Sequence, residues 1–225
     1  MWVQVVDAHF LASTLDHLED AAIGHLSTGG ADPQARGAVA PRVPLHLAVP
    51  GPEPPVESLG RLRPAFDPQG TVTAGNASQL SDGASAVVMM SKAEAERRGV
   101  TPLGEVVSYG MVAGPDSASL LHQPSSAINA ALTRANLTIG DVDLFEINEA
   151  FAAVAIAAMA DLGITSEVVN VNGGAIALGH PIGMSGNRLA LTILHELRRR
   201  GGGIGAAALC GGGGQGDALI VKSVS

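Results

Sequence analysis

One thiol, one imidazole and one side-chain amide stand where short apolar runs give way to glycine or to a helix. Cys210 precedes Gly211-Gly212, His180 sits between Gly179 and Pro181, and Asn148 precedes Glu149-Ala150-Phe151. A fourth polar stretch, Thr73-Ala74-Gly75-Asn76-Ala77-Ser78, lies upstream. In one cleft, a thiol, an imidazole and an amide would supply acid/base chemistry and donors for a developing negative charge. Cys210 would need a depressed pKa to act as a thiolate base, and a neighbouring imidazole is one way to lower it. His180 and Asn148, with main-chain N–H groups near Gly212, could stabilise an enolate or a tetrahedral oxyanion. Each residue alone has a plainer explanation. Asn148 could cap a helix, His180 could be an ordinary loop histidine, and Cys210 could be a small buried side chain. The glycines could be turn residues only. Spacing does not establish that the four stretches converge.

The elements that would have to position them read as an α/β layer architecture from about Ser85 onward, where short β-branched runs alternate with amphipathic stretches. Strands are expected at Ala86–Met90, Glu105–Met111, Val142–Ile147, Val168–Val171, Ile204–Leu209 and Ala218–Lys222. The Ser91-Lys92-Ala93-Glu94 spacing is that of a capping box, and Gly99 is placed to end the helix that follows. Further helices are expected over Ser126–Asn136, Glu149–Leu162 and Gly186–Arg200. The Glu149–Leu162 helix is apolar nearly all round and needs cover on more than one side. Gly201-Gly202-Gly203 stops the last helix, whose three terminal arginines suit the negative end of its dipole. The glycine-rich link 211–216 is too short for a helical crossover, so the last two strands should form an antiparallel hairpin in a mixed sheet. Five or six strands with helices on both faces are expected.

The composition excludes several classes. A net charge of −8, with 3% aromatic residues, offers neither a basic footprint nor a stacking platform for nucleic acid. Cys210 is the one cysteine, so no intramolecular disulfide forms, and no Cys/His spacing resembles a zinc site. The longest apolar run, Ala150–Ala160, is too short to span a bilayer, and Met1–Asp7 lacks the basic and apolar regions of a secretory signal. A cytoplasmic, reducing setting is expected. Residues 1–60 differ from the rest: they contain no lysine, and six prolines between Pro41 and Pro55 exclude a helix or a central strand there. A short helix around Phe10–Leu26, with Leu11, Leu15, Leu18 and Ala22 at helical spacing, is compatible with this segment.

Three segments taken together resemble the C-terminal signatures of thiolases: Asn148-Glu149-Ala150-Phe151-Ala152, the run Asn170 to Gly186 containing Gly179-His180-Pro181-Ile182-Gly183, and Cys210-Gly211-Gly212-Gly213-Gly214-Gln215-Gly216. The likeness covers residues 60–225 and is greatest to bacterial acetyl-CoA acetyltransferases, the biosynthetic type. It implies a C-terminal part only, with residues 85–225 as the thiolase C-terminal domain and 61–84 as a segment of the CoA cleft leading into it; residues 1–60 lie outside the resemblance and read from composition as an atypical, Pro-rich, poorly ordered segment. The reaction implied is acyl transfer between CoA thioesters, two acetyl-CoA giving acetoacetyl-CoA and CoA or the reverse thiolysis. No metal or redox cofactor is implied; CoA thioesters are substrates. By the resemblance, Cys210 matches the acid/base that removes the α-proton of the second acyl-CoA. His180 matches the residue that activates the nucleophile and binds the thioester oxygen. Asn148 matches the residue holding a water in that oxyanion hole, and Gly212 a main-chain donor of a second one. Phe66, Ala74 and Ser78 match positions lining the CoA cleft, and Phe151 a residue of the acyl pocket.

The sequence departs from the family pattern in one decisive respect. A thiolase also needs a nucleophilic cysteine in an N-terminal half-domain of similar fold, and with Cys210 alone the covalent intermediate has no residue to form on. A smaller departure is Leu121-His122-Gln123-Pro124-Ser125, where many thiolases carry a Met and a Gly-Pro pair shaping the acyl pocket. Three readings follow. The chain is part of an acyltransferase completed by a nucleophile-bearing partner or as a homo-oligomer, or a non-catalytic CoA-binding or dimerisation module. The third is a fold relic whose uncovered apolar face aggregates.

Overall fold

The computed structural model describes residues 56–115 and 117–224. The expected helix Phe10–Leu26 and the segment Pro41–Pro55 lie outside the described residues. Among the described residues the helices are α1 (Val56–Leu59), α2 (Lys92–Arg98), α3 (Gln123–Ala135), α4 (Ala152–Leu162), α5 (Ala175–Leu178) and α6 (Ser185–Arg199). The strands are β1 (Gly104–Ala113), β2 (Leu144–Ile147), β3 (Ile204–Gly211) and β4 (Gln215–Ser223).

The strand order is β1-β4-β3-β2, with β1 and β3 antiparallel to β4 and β2 parallel to β3. The mixed sheet and the antiparallel β3–β4 hairpin agree with the sequence reading. The number of strands does not: the sheet has four, and two expected strands fail for different reasons. Ala86–Met90 forms no strand, having no strand paired with it among the described residues, and Met89 is exposed. Val168–Val171 is broken by Asn170, whose φ of 48° leaves the extended region, so that only Val169 bridges to Phe145.

Helices cover both faces, as alternation along the strands requires. On one face Phe145, Ile147, Ala206, Ala208, Ala218 and Ile220 pack against α3 and α4. On the other, Leu144, Ala207 and Val221 meet Leu189, Ile193, Leu194 and Leu197 of α6. The glycine and alanine content has its use here. A Cβ at Gly110 of β1 would strike the carbonyl oxygen of Ala127 in α3, and one at Gly216 of β4 would approach the Gln123 carbonyl oxygen to 2.6 Å. Helix α3 therefore lies closer to the sheet than larger side chains would allow.

The caps explain the helix boundaries. Ser91 Oγ accepts from the Glu94 N–H, and Gly99 ends α2 at φ 63°. The reciprocal half of the capping box is absent because the Glu94 carboxylate holds Arg97 and Arg98 instead. Helix α3 begins three residues before the expected Ser126, with Pro124 in its first turn, and α4 begins at Ala152 rather than Glu149 because Phe151 is extended.

Candidate functional site

Strand β2 delivers Asn148 to the end of the sheet. The Asn148 N–H continues the parallel pairing by donating to the Ala208 carbonyl at 2.9 Å, and its side chain is fully buried. His180 arrives from the loop between α5 and α6, and Asn148 Nδ2 lies 3.1 Å from His180 Nε2. His180 Nδ1 lies 2.6 Å from Ser185 Oγ, which in turn donates to the Pro181 carbonyl at 3.0 Å. An amide nitrogen only donates, so Nε2 accepts, Nδ1 carries the proton, and the Ser185 hydroxyl passes its own proton on to Pro181. The imidazole is thus a neutral Nδ1–H tautomer. Burial, with the positive charge of Arg188 behind it, holds its pKa below the ordinary histidine value. Asn148 Oδ1 is buried with no hydrogen-bond partner.

A second network fixes the loop that carries His180. Asn170 substitutes for a strand residue: its Oδ1 accepts from the Ile147 N–H at 2.8 Å and its Nδ2 donates to the Ile147 carbonyl at 2.9 Å. The same Nδ2 donates to Glu149 Oε1 at 2.7 Å, and Glu149 Oε2 accepts from the Ile176 N–H at 3.1 Å. A Cβ at Gly174 would strike the Glu149 carboxylate. Glu149 therefore ties the end of β2 to α5, immediately before Gly179-His180.

Cys210 sits at the end of β3, paired in register with Gly216, and is half-buried. Burial pushes its thiol pKa up. Among the described residues the thiol makes no hydrogen bond to His180 or Asn148, although all three groups lie at one end of the parallel β2–β3 pair. The depressed thiol that a base needs is not what this environment gives. Gly212 is exposed in the turn after Cys210, where Gly213 at φ 82° reverses the chain.

The upstream positions divide. Ser78 donates its N–H to the Ala150 carbonyl at 3.0 Å, the Asn76 carbonyl accepts from Ala152, and Ala77 bridges to Phe151, so Ser78 and Phe151 come together at the start of α4. Ala74 lies half-buried in the turn closed by Asn76 N–H to the Thr73 carbonyl. Phe66 stands apart, 81% exposed in the 64–73 hairpin. Further along, Ser85 Oγ donates to the Met184 carbonyl and accepts from Asn187 Nδ2, so residues 76–87 lie across both the β2–α4 junction and the start of α6.

Sequence reasoning did not single out Ser185, Glu149, Asn170 or the Glu146–Arg188 pair. The available signal was positional: Ser185 opens a helix five residues after His180, and Glu146 is a lone charge inside an apolar strand. Among the described residues no cluster of His, Cys, Asp and Glu could hold a metal ion, and no helix is long and apolar enough to cross a membrane.

Residues 100–223 match the family model described as thiolase, C-terminal domain, and residues 49–93 match that of the thiolase N-terminal domain. The second match corrects the expectation of a C-terminal part only. The matched stretch includes the 76–87 segment, which is bonded to the β2–α4 junction and the start of α6. A probable acetyl-CoA acetyltransferase of Mycolicibacterium smegmatis is 59% identical over 166 residues, 74% of this chain and 42% of that protein. A 3-ketoacyl-CoA thiolase of Marinobacter nauticus is 50% identical over 177 residues, 77% of this chain and 45% of that protein. The crystal structure of the Bacillus anthracis acetyl-CoA acetyltransferase superposes with a TM-score of 0.73 at 43% identity, covering 78% of this chain and 44% of that one. Human mitochondrial 3-ketoacyl-CoA thiolase gives 0.72 at 45% identity, covering 77% and 44%. The chain spans less than half the length of these relatives.

Proposed function

The chain belongs to the thiolase family, and from that premise we propose that it is a non-catalytic CoA-thioester-binding module that keeps the acid/base and oxyanion side of an acyl-CoA acyltransferase site. The observation that carries this reading is the Asn148–His180–Ser185 chain of hydrogen bonds, intact in a protein whose only thiol is Cys210.

In this reading the carbonyl oxygen of a bound thioester lies near His180 and Asn148, and the main-chain N–H near Gly212 serves a second acyl oxygen. His180 donates from Nε2 only in its other tautomer. Ser185 permits that change by turning its hydroxyl proton from Pro181 to Nδ1. Cys210, held as a thiol by burial, is the proton donor at neutral pH; it becomes a base only when a substrate or partner lowers its pKa. Ser78, Ala74 and Phe66 line the approach for the CoA chain, and Phe151 the acyl group. Residues 61–84 form the cleft segment and 85–225 the folded domain. With Cys210 in the acid/base role, these 225 residues hold no second cysteine to carry the acyl group covalently.

A second reading is supported by the 59% identity to an acetyl-CoA acetyltransferase. Here the chain forms a complete acetyl-CoA C-acetyltransferase with a nucleophile-bearing thiolase half or in a homo-oligomer. Calorimetric titration of acetyl-CoA and CoA into the purified 225-residue chain, run beside an acetoacetyl-CoA thiolysis assay with Cys210→Ala as control, separates the two. Binding without turnover is the expected result. Turnover by the chain alone, or absence of binding, overturns the module; turnover only after mixing with a nucleophile-bearing half supports the second reading.

A further inference from the structure

We propose that Arg188, held by the buried carboxylate of Glu146, is a positioning residue that sets the charge state of His180; the inference rests on His180 being the imidazole of the site proposed above. The placement comes from the periodicities of two elements. Glu146 and Asn148 are alternate residues of the β2 run and lie on its α6 side, while Ser185 and Arg188 are three apart in α6 and lie on one helix face. The result is two polar rungs between strand and helix. One runs Asn148–His180–Ser185, and the other joins Glu146 Oε2 to Arg188 Nη1 at 3.1 Å. His180 is the inserted member of the first rung, and Arg188 lies one helical turn beyond Ser185.

The second rung is unusual for a structural pair. Glu146 is 2% exposed and the Arg188 side chain 15%, yet Arg188 Nη2 is buried with no partner. A buried guanidinium satisfied on one branch costs stability, and an apolar pair of similar volume would pack as well. What the pair adds is a permanent positive charge one helical turn from the serine that holds the imidazole, in a low-dielectric setting where like charges disfavour a second cation. Burial is the larger cause that holds the His180 pKa down, and the charge of Arg188 adds to it by opposing protonation, which keeps the imidazole able to accept at Nε2.

The other charged groups on the surrounding elements are engaged elsewhere or distant in kind. Glu149 at the end of β2 is bound by Asn170 and Ile176, Glu196 of α6 by Arg199 and Arg200, and Cys210 of β3 is a neutral thiol. The 79–87 segment across the loop contributes only the exposed Asp82. Arg188 is the cation whose charge acts on the imidazole, whereas Arg199 and Arg200 are held by Glu196.

The test is an imidazole ¹⁵N NMR titration of the full chain, with the His180 signal assigned by its loss in His180→Asn. Arg188→Met should shift the His180 midpoint upward, whereas Arg188→Lys, which keeps the charge, and Glu146→Gln, which removes only the opposing charge, should not. An upward shift in all three variants would show that the pair acts by packing alone and would overturn the proposal, as would an unchanged midpoint in Arg188→Met. If Arg188→Met fails to fold, the double variant Glu146→Gln/Arg188→Met strands no buried charge and carries the same expected upward shift. The readout needs neither CoA nor turnover, so failure of the CoA-binding reading leaves this result standing.

Discussion

Asn148 Nδ2 meets His180 Nε2 at 3.1 Å across 32 residues of sequence, and together with the Nδ1–Ser185 bond it decides which nitrogen of the imidazole carries its proton. Because Nε2 accepts from the amide, Nδ1 is left to donate to Ser185. Two side chains from two elements thus fix a tautomer that neither could fix alone. Helix α6 supplies the serine, strand β2 the asparagine, and the loop between α5 and α6 has only to hold the ring between them.

Ser185→Ala removes the acceptor of the Nδ1 proton and the serine's own bond to the Pro181 carbonyl. Both groups are buried or half-buried, so a stability loss on the order of 1–3 kcal/mol is expected in chemical denaturation. The ¹⁵N shifts of His180 should also lose their Nδ1–H character. A variant with an unchanged tautomer would mean that Asn148 alone sets the ring.

Gly174→Ala places a methyl group on the Glu149 carboxylate. The clash should break the bonds from Asn170 and Ile176 that hold the loop before His180, at a cost of about 1–3 kcal/mol. Measured with Glu149→Ala, the two substitutions should be strongly non-additive, since removing the carboxylate removes the clash. Additive losses would place the strain elsewhere.

Glu146 gives the chain an opposite pH response to most paired carboxylates. Burial raises its pKa from 4.5 to about 7, and the Arg188 charge offsets only part of that. A carboxyl whose folded pKa lies above its unfolded value makes the folded state bind the extra proton between about pH 4.5 and 7. Its contribution to stability is therefore full at the acid end of that window and is lost as pH rises through it, by up to ~3 kcal/mol. Glu196 works the other way: Arg199 leads in holding its pKa near 2, and its contribution falls away only below about pH 4.5. Glu146→Gln should flatten the decline in melting temperature between pH 5 and 8 relative to the unsubstituted chain. An identical slope in both proteins would refute the assignment.

Much of this arrangement was legible in the sequence, and what escaped has physical reasons. The helices declared themselves by period and by caps such as Ser91 and Gly99, and the hairpin by the glycine link 211–216. Ala86–Met90 reads as a strand because β-branched and apolar residues suit one, yet a strand exists only beside a partner, and sequence composition does not supply the neighbour. Asn170 shows the converse. An asparagine inside a β-branched run looks like a weak strand position, but its side chain imitates backbone at Ile147 and so ends the run. The Asn148–His180 meeting was suspected from residue type alone; the Glu146–Arg188 rung was not, because only the fold reveals that residues 42 apart share one strand–helix seam.

Cys210 provides the most direct chemical test, because it is the only thiol in the chain and every alkylation event reports on it. Reactivity follows the thiolate fraction, and burial raises the Cys210 pKa above the ordinary 9.0. Iodoacetamide should therefore label the folded chain slowly at pH 7.5, and the rate should still be rising above pH 9, where an ordinary thiol has begun to level off. Unfolding in denaturant should bring the rate to that of free cysteine. The comparison also bears on how the site works: if bound acetyl-CoA brings a proton acceptor or a cation to the end of β3, labelling should change with ligand through the pKa and not only through access. Mass spectrometry of the labelled chain across pH, with and without acetyl-CoA, separates these, since simple blocking lowers the rate at every pH while a pKa change moves the midpoint. Labelling of the free, folded chain at the rate of free cysteine would mean that the thiol is already activated, and Cys210 would then be a base in waiting rather than the proton donor its burial makes it.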